Sequence, residues 1–186
     1  MKKQITLLIL SLVFAQNIYS ADSSKDQTKL IKMVTRAAKE NNLALIKEYR
    51  KYGGNLNVKD EKGYTPLIFA AYYGHKSTVD YLLKEGANAC IKDNKGNTAL
   101  MGAIFKGNLK IAYKLMKTDC KLDQKNNANQ TALMYASLFN RQEIAKELIR
   151  KGASKTLKDN SGKSAVDVAK TQLNQEMVTL LEKYSH

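Results

Sequence analysis

Laid against itself at a step of 33 residues, the chain falls into columns of like residues, and no other feature constrains its fold as tightly. Thr65, Thr98, Thr131 and Ser164 share one column, and Leu67, Leu100, Leu133 and Val166 share another. Ala37, Ala70, Ala103, Ala136 and Ala169 form a third, and Leu82, Leu115, Leu148 and Leu181 a fourth. One supersecondary unit is therefore copied along the chain, each copy burying its apolar face against the next. With 186 residues there is room for one short array and not for two full domains.

Each copy reads as helix, tight turn, helix, extended loop. Thr65 caps the first helix through its hydroxyl, and Pro66 takes the first helical position, where a missing N–H costs nothing. Leu67, Ala70 and Ala71 follow as one apolar stripe at helical spacing. Gly74 ends that helix; its counterparts Asn41, Gly107 and Asn140 are all types that tolerate positive φ. Val79, Leu82 and Leu83 give the buried stripe of the second helix, which Gly86 stops, with Gly53, Asp119 and Gly152 in the equivalent places. Asp93, Asn94 and Gly96 then supply a turn before the next Thr.

The run from Gly63 to His75 (GYTPLIFAAYYGH), followed by Val79, Leu82, Leu83, Gly86 and Ala87, resembles the ankyrin repeat, with its 33-residue period and T-P-L-H-x-A signature. The resemblance covers essentially the whole chain after its leader, in five units at 28–60, 61–93, 94–126, 127–159 and 160–186, the first and last being caps. It implies an all-α ankyrin-repeat solenoid, with inner helices on a concave face, outer helices on a convex face, and loops projecting as fingers. The signature histidine is missing, since Ile68, Met101, Met134 and Asp167 hold its column. Apolar packing is expected to replace the hydrogen bonds it would make between units. The first unit has Lys32 and Met33 in place of Thr-Pro, and the last has Leu173 in place of the glycine, as capping units allow.

Residues 1–20 have the layout of a secretory signal peptide: Lys2 and Lys3, an apolar run from Ile5 to Ala15, and small residues at Ser20 and Ala21. Cleavage is expected after Ser20 or Ala21, with 21–27 a short linker. The apolar run is too short to span a bilayer, so no stable membrane insertion is expected once the leader is removed. The full chain carries a formal charge of +14; without the leader, 29 basic against 17 acidic residues leave +12. This favours an acidic partner surface. Export and the excess of Lys over Arg argue against nucleic acid.

Catalysis needs convergent titratable groups, and the sequence is poor in them. Of two histidines, His75 stands where the resembled family places one at the start of the second helix, and His186 is the last residue. No nucleophile triad, phosphate loop or metal cluster is visible, so no enzyme activity, cofactor or metal is expected. Cys90 and Cys120 lie in different columns of successive units. Units stack about 10 Å apart, whereas a disulfide needs Cα atoms within about 7 Å. Two free, partly buried thiols are thus expected, with a Cys90–Cys120 disulfide left open by the three-column offset.

In the ankyrin pattern the two residues before the helix-ending glycine point into the concave groove. Those columns hold Tyr72 and Tyr73, Phe105 and Lys106, and Leu138 and Phe139. Tyr64, Lys62 and Lys95 join them from the fingers. A lysine column at Lys59, Lys92, Lys125 and Lys158 precedes the finger tips and offers a weaker candidate ladder for an acidic surface. The expected function is non-catalytic protein binding, by a chain monomeric when unbound, in the bacterial periplasm or envelope. The resemblance extends to accessory factors of catalase and peroxide resistance and to toxin-immunity proteins. A secreted effector acting on a host protein is the alternative, and a haem carrier or enzyme is weaker still.

Overall fold

The computed structural model describes residues 23–183, and the proposed leader lies outside them. Among these described residues ten helices follow in pairs: α1 (Ser23–Lys39) with α2 (Leu43–Lys51), α3 (Pro66–Tyr73) with α4 (Lys76–Lys84), α5 (Ala99–Lys106) with α6 (Leu109–Leu115), α7 (Ala132–Leu138) with α8 (Gln142–Arg150), and α9 (Ala165–Thr171) with α10 (Gln175–Lys183). The first member of each pair packs closely on its equivalents, and the second members pack more loosely, so the stack curves towards the inner layer. Helix α1 begins at Ser23, inside the stretch read as a linker.

The column residues do what their types dictate. Thr65, Thr98, Thr131 and Ser164 each accept a hydrogen bond from the backbone N–H three residues on, at 3.2 to 3.4 Å. The alanine column is buried to 2% exposure or less, because only a methyl group fits where inner helices touch. The leucine column Leu82, Leu115, Leu148 and Leu181 fills the space between layers. Asn41, Gly74, Gly107, Asn140 and Leu173 all have positive φ.

Hydrogen bonds between units persist without the signature histidine, contrary to the expectation that apolar packing replaces them. A different column supplies them. The His75 Nε2 donates to the Lys39 carbonyl at 2.9 Å. Asn108 donates to the carbonyls of Ala71 and Tyr72 at 2.9 and 3.0 Å, and Arg141 to those of Ile104 and Phe105 at 3.2 and 3.3 Å. Each side chain starts an outer helix and satisfies carbonyls left open at the end of the preceding unit's inner helix. Gly74 makes room for this: a Cβ there would lie 2.9 Å from the Asn108 Oδ1, and its φ of 81° already disfavours a side chain.

The fingers are tied to one another as well. Asp60, Asp93, Asn126 and Asp159 each close their own turn, accepting from the backbone N–H groups two and four residues on. Asn94, Asn127 and Asn160 then donate side-chain bonds to the carbonyls of Glu61, Asn94 and Asn127 at 2.9 to 3.2 Å. Backbone bonds from the same residues run alongside.

Cys90 and Cys120 are joined in a disulfide with Cα atoms 5.3 Å apart, which corrects the expectation of two free thiols. The unit-to-unit spacing misleads here because the contact is between different columns. Residues in the column of Cys90 touch the chain about 30 residues on, where it leaves the next outer helix. Asn57 accepts from the Asn88 backbone N–H at 2.8 Å, and Asp123 from that of Ser154 at 3.0 Å. In the second unit the same contact is covalent. Helix α6 ends at Leu115 after seven residues, where the other outer helices run for nine.

Candidate interaction groove

The inner helices and fingers carry a line of aromatic rings across three units. Tyr64 meets Phe69 at 5.1 Å between centroids, Phe69 meets Tyr73 at 6.4 Å, and Tyr73 meets Tyr72 edge-on at 5.1 Å. Tyr72 stacks on Phe105 of the next unit at 5.8 Å, Phe105 meets Phe139 edge-on at 4.8 Å, and Phe139 leads to Tyr135 at 5.9 Å. Tyr73 and Phe105 are 43% and 40% exposed, an unusual state for rings this large, and Tyr72, Leu138 and Phe139 are half-buried. The rings lean on one another and still present an edge to solvent.

Cations line the same groove. The Lys106 ammonium lies 5.2 Å from the Tyr72 centroid and that of Lys39 5.8 Å from Tyr73, both within cation–π range. At the N-terminal end, Lys32, Arg36 and Lys39 from α1 face Asp60, Glu61, Lys62, Tyr64, Phe69 and Tyr73 across an open cleft of about 430 Å³. Lys32 pairs with Glu61 at 2.8 Å. The hydrogen bond and charge of that pair raise the Lys32 ammonium pKa and lower that of the Glu61 carboxyl. Burial, helped by the nearby Asp93 and Asp60 charges, raises the Tyr64 phenol, and burial does the same to Tyr135. Both phenols are held in their neutral form.

Lys62 and Lys95 stand exposed on the fingers, as does Lys59. Two of the remaining lysines of that last column are engaged: Lys92 donates to the Lys125 carbonyl at 2.7 Å, and Lys158 pairs with Asp167 at 3.0 Å. Lys125 itself is half-buried. His75 is structural, with its ring against Tyr73 at 6.1 Å and its Nε2 on the Lys39 carbonyl. Among the described residues, no three His, Cys, Asp or Glu side chains gather as a metal would require, and no helix is long and apolar enough to cross a membrane.

Sequence reasoning missed Arg36, Lys39, Phe69 and Tyr135, although the 33-residue step holds their signal. Arg36, Phe69, Gly102 and Tyr135 form one column, and Lys39, Tyr72, Phe105 and Leu138 another. The basic cap and the aromatic middle are thus one surface whose chemistry changes along the array. A family model described as ankyrin repeats (3 copies) matches residues 34–126 and 104–186. No curated protein matches this chain.

Proposed function

Because the chain belongs to the ankyrin-repeat family, whose repeats are protein–protein interaction modules, we propose that it is a non-catalytic binding module that grips a partner protein along the inner-helix groove. The observation that carries this reading is the ring line from Tyr64 to Tyr135 with Lys39 and Lys106 over it. Partly exposed aromatic anchors are the residues that dominate protein interfaces. The reading places the module in an oxidising bacterial envelope compartment. The leader-like residues 1–20 and the Cys90–Cys120 bond support that placement, since disulfides persist where thiols are not kept reduced. Support of a peroxide-defence enzyme and neutralisation of a toxin both require nothing beyond tight binding.

The test is Tyr72→Ala combined with Phe105→Ala, assayed by capture from envelope extract with identification of the retained protein, beside a melting curve. Losing such an anchor costs on the order of 2 kcal/mol of affinity, about a thirtyfold loss in Kd. The two rings stack on each other, so the double variant also loses about 1 kcal/mol of stability, or roughly 2–4 °C in melting temperature. Lys59→Glu, on the finger column, should leave capture intact. Undiminished capture by the double variant moves the binding surface off the groove.

A further inference from the structure

Gly102 sits inside α5 with a φ outside the left-handed region, so its backbone does not call for glycine. Packing does not call for it either. A Cβ there would meet only the Tyr72 side chain, at 3.8 Å, an ordinary contact. Glycine inside a helix costs about 1 kcal/mol relative to alanine. The units on either side fill this column with Phe69 and Tyr135. The glycine therefore leaves room for a side chain, a small hollow beside Tyr72 between the column positions of Phe69 and Tyr135.

Along the groove on either side of the hollow the cations are left unmatched. No carboxylate lies within 4 Å of Arg36, Lys39, Lys62, Lys95 or Lys106 among the described residues. The acids close to them are already committed: Asp60 and Asp93 to the backbone of their own turns, and Glu61 to Lys32.

We propose, resting on the groove reading above, that the partner contributes an extended acidic segment, with one apolar side chain seated in the hollow at Gly102 and its carboxylates against Arg36, Lys39, Lys62, Lys95 and Lys106. Units repeat about every 10 Å, and an extended chain advances about 3.3 Å per residue. One unit thus corresponds to about three residues, and the acids belong about three and six positions to one side of the apolar anchor. A single-stranded nucleic acid fits less well. It needs free ring faces for base stacking, whereas Lys106 and Phe105 cover Tyr72 and Lys39 covers Tyr73.

The experiment presents the full mature chain with a peptide library in which a central Leu or Phe is fixed and the flanking positions draw on Asp, Lys, Ser and Gly. Enrichment of Asp at the stated offsets is expected, with binding of the selected peptide weakened at least tenfold by Gly102→Leu and by Arg36→Glu with Lys39→Glu. Gly102→Ala should melt higher than the wild type. The proposal is overturned by no enrichment, by neutral or Lys-rich winners, by peptide binding indifferent to Gly102→Leu, by competition from oligo-dT at the groove, or by a lower melting temperature for Gly102→Ala. If the Tyr72 and Phe105 double variant still loses its partner while Gly102→Leu keeps it, the groove reading stands and this one falls.

Discussion

The outer helices and the inner groove differ in what surrounds their cations. On the outer face, Asp80 bridges Lys76 of its own helix and Lys114 of the next unit, and the pair of hydrogen bonds holds its carboxyl below the usual range. Arg50 meets Glu85 at 3.6 Å across a unit boundary, Gln142 donates to Glu176 at 2.7 Å, and Glu143 and Glu147 pair with Lys146 and Arg150. These outer acids are matched by the protein's own residues, while Lys84 and Lys110 of the same face have no carboxylate at ion-pair distance among the described residues. In the groove, Lys39 and Lys106 rest on ring faces, and Arg36, Lys62 and Lys95 have no carboxylate at ion-pair distance among the described residues. Both faces therefore keep spare cations, but in the groove these flank a continuous line of aromatic rings, and that combination gains most when complementary groups arrive.

The disulfide belongs to neither face, and removing it separates stability from binding most sharply. Cys90 and Cys120 close a loop of about 30 residues, which in the chain-entropy view stabilises the fold by about 3 to 4 kcal/mol. Cys90→Ser with Cys120→Ser, or reduction with dithiothreitol, should lower the melting temperature by more than any single substitution in the groove. Partner affinity at a temperature where both forms are folded should stay within about twofold, since no groove ring touches the bond. An equal loss of affinity would show that the disulfide sets the groove's shape and that the two faces are not independent.

Which of these features could be read from the sequence follows from whether like residues do like work. Thr65, Thr98 and Thr131 cap with the same atom at the same spacing, so the column announces its role. Gly74 and Asn140 differ in type but share the rare ability to take positive φ, which also shows in a column. His75, Asn108 and Arg141 share only a target, a carbonyl of the preceding unit's inner helix, and three unlike donors in one column look like noise until the carbonyls are in view. The disulfide was hidden for a related reason: its partners are matched through space by the contact that Asn57 and Asp123 make in their own units, and not by column. In the groove, Tyr72, Phe105 and Phe139 were legible as a repeated aromatic pair of columns. Gly102 was not, because a small residue inside a helix is informative only once its neighbours show that neither φ nor packing requires it.

A smaller effect tests the outer face directly. Asp80→Asn removes the charge that Lys76 and Lys114 share while keeping the side chain's shape. Exposed pairs of this kind are worth about 0.5 kcal/mol, less at high salt. The variant should therefore melt within about 2 °C of the wild type and capture the partner with unchanged affinity. A marked loss of capture would put an outer-helix residue in the interface and erase the contrast between the faces.

The smallest expected change concerns Asp167, at the C-terminal end of the inner layer. Its carboxylate accepts the Ser164 hydroxyl at 2.6 Å and the Ser164 backbone N–H at 2.8 Å, and it pairs with the Lys158 ammonium at 3.0 Å. These contacts, the Ser164 hydroxyl foremost, hold its pKa well below the usual carboxylate range. A free aspartate titrates near pH 3.9, so on acidification the unfolded chain takes up this proton before the folded one does. The carboxylate's contribution to stability is then fully present above about pH 5 and is lost as the pH falls through 4 towards the folded value. With the side chain 42% exposed, water screens the pair with Lys158 and keeps the contribution below about 1 kcal/mol. Asp167→Asn retains an acceptor for Ser164 and removes only the charge. The melting temperatures of wild type and variant should differ by one or two degrees at pH 6, and the difference should shrink steadily as the pH falls below about 4 towards the folded value, because other carboxylates titrate alike in both chains. A difference that stays constant from pH 6 to pH 2 would show that Asp167 binds its proton equally well in the folded and unfolded states, and that the Ser164 cap works by geometry alone.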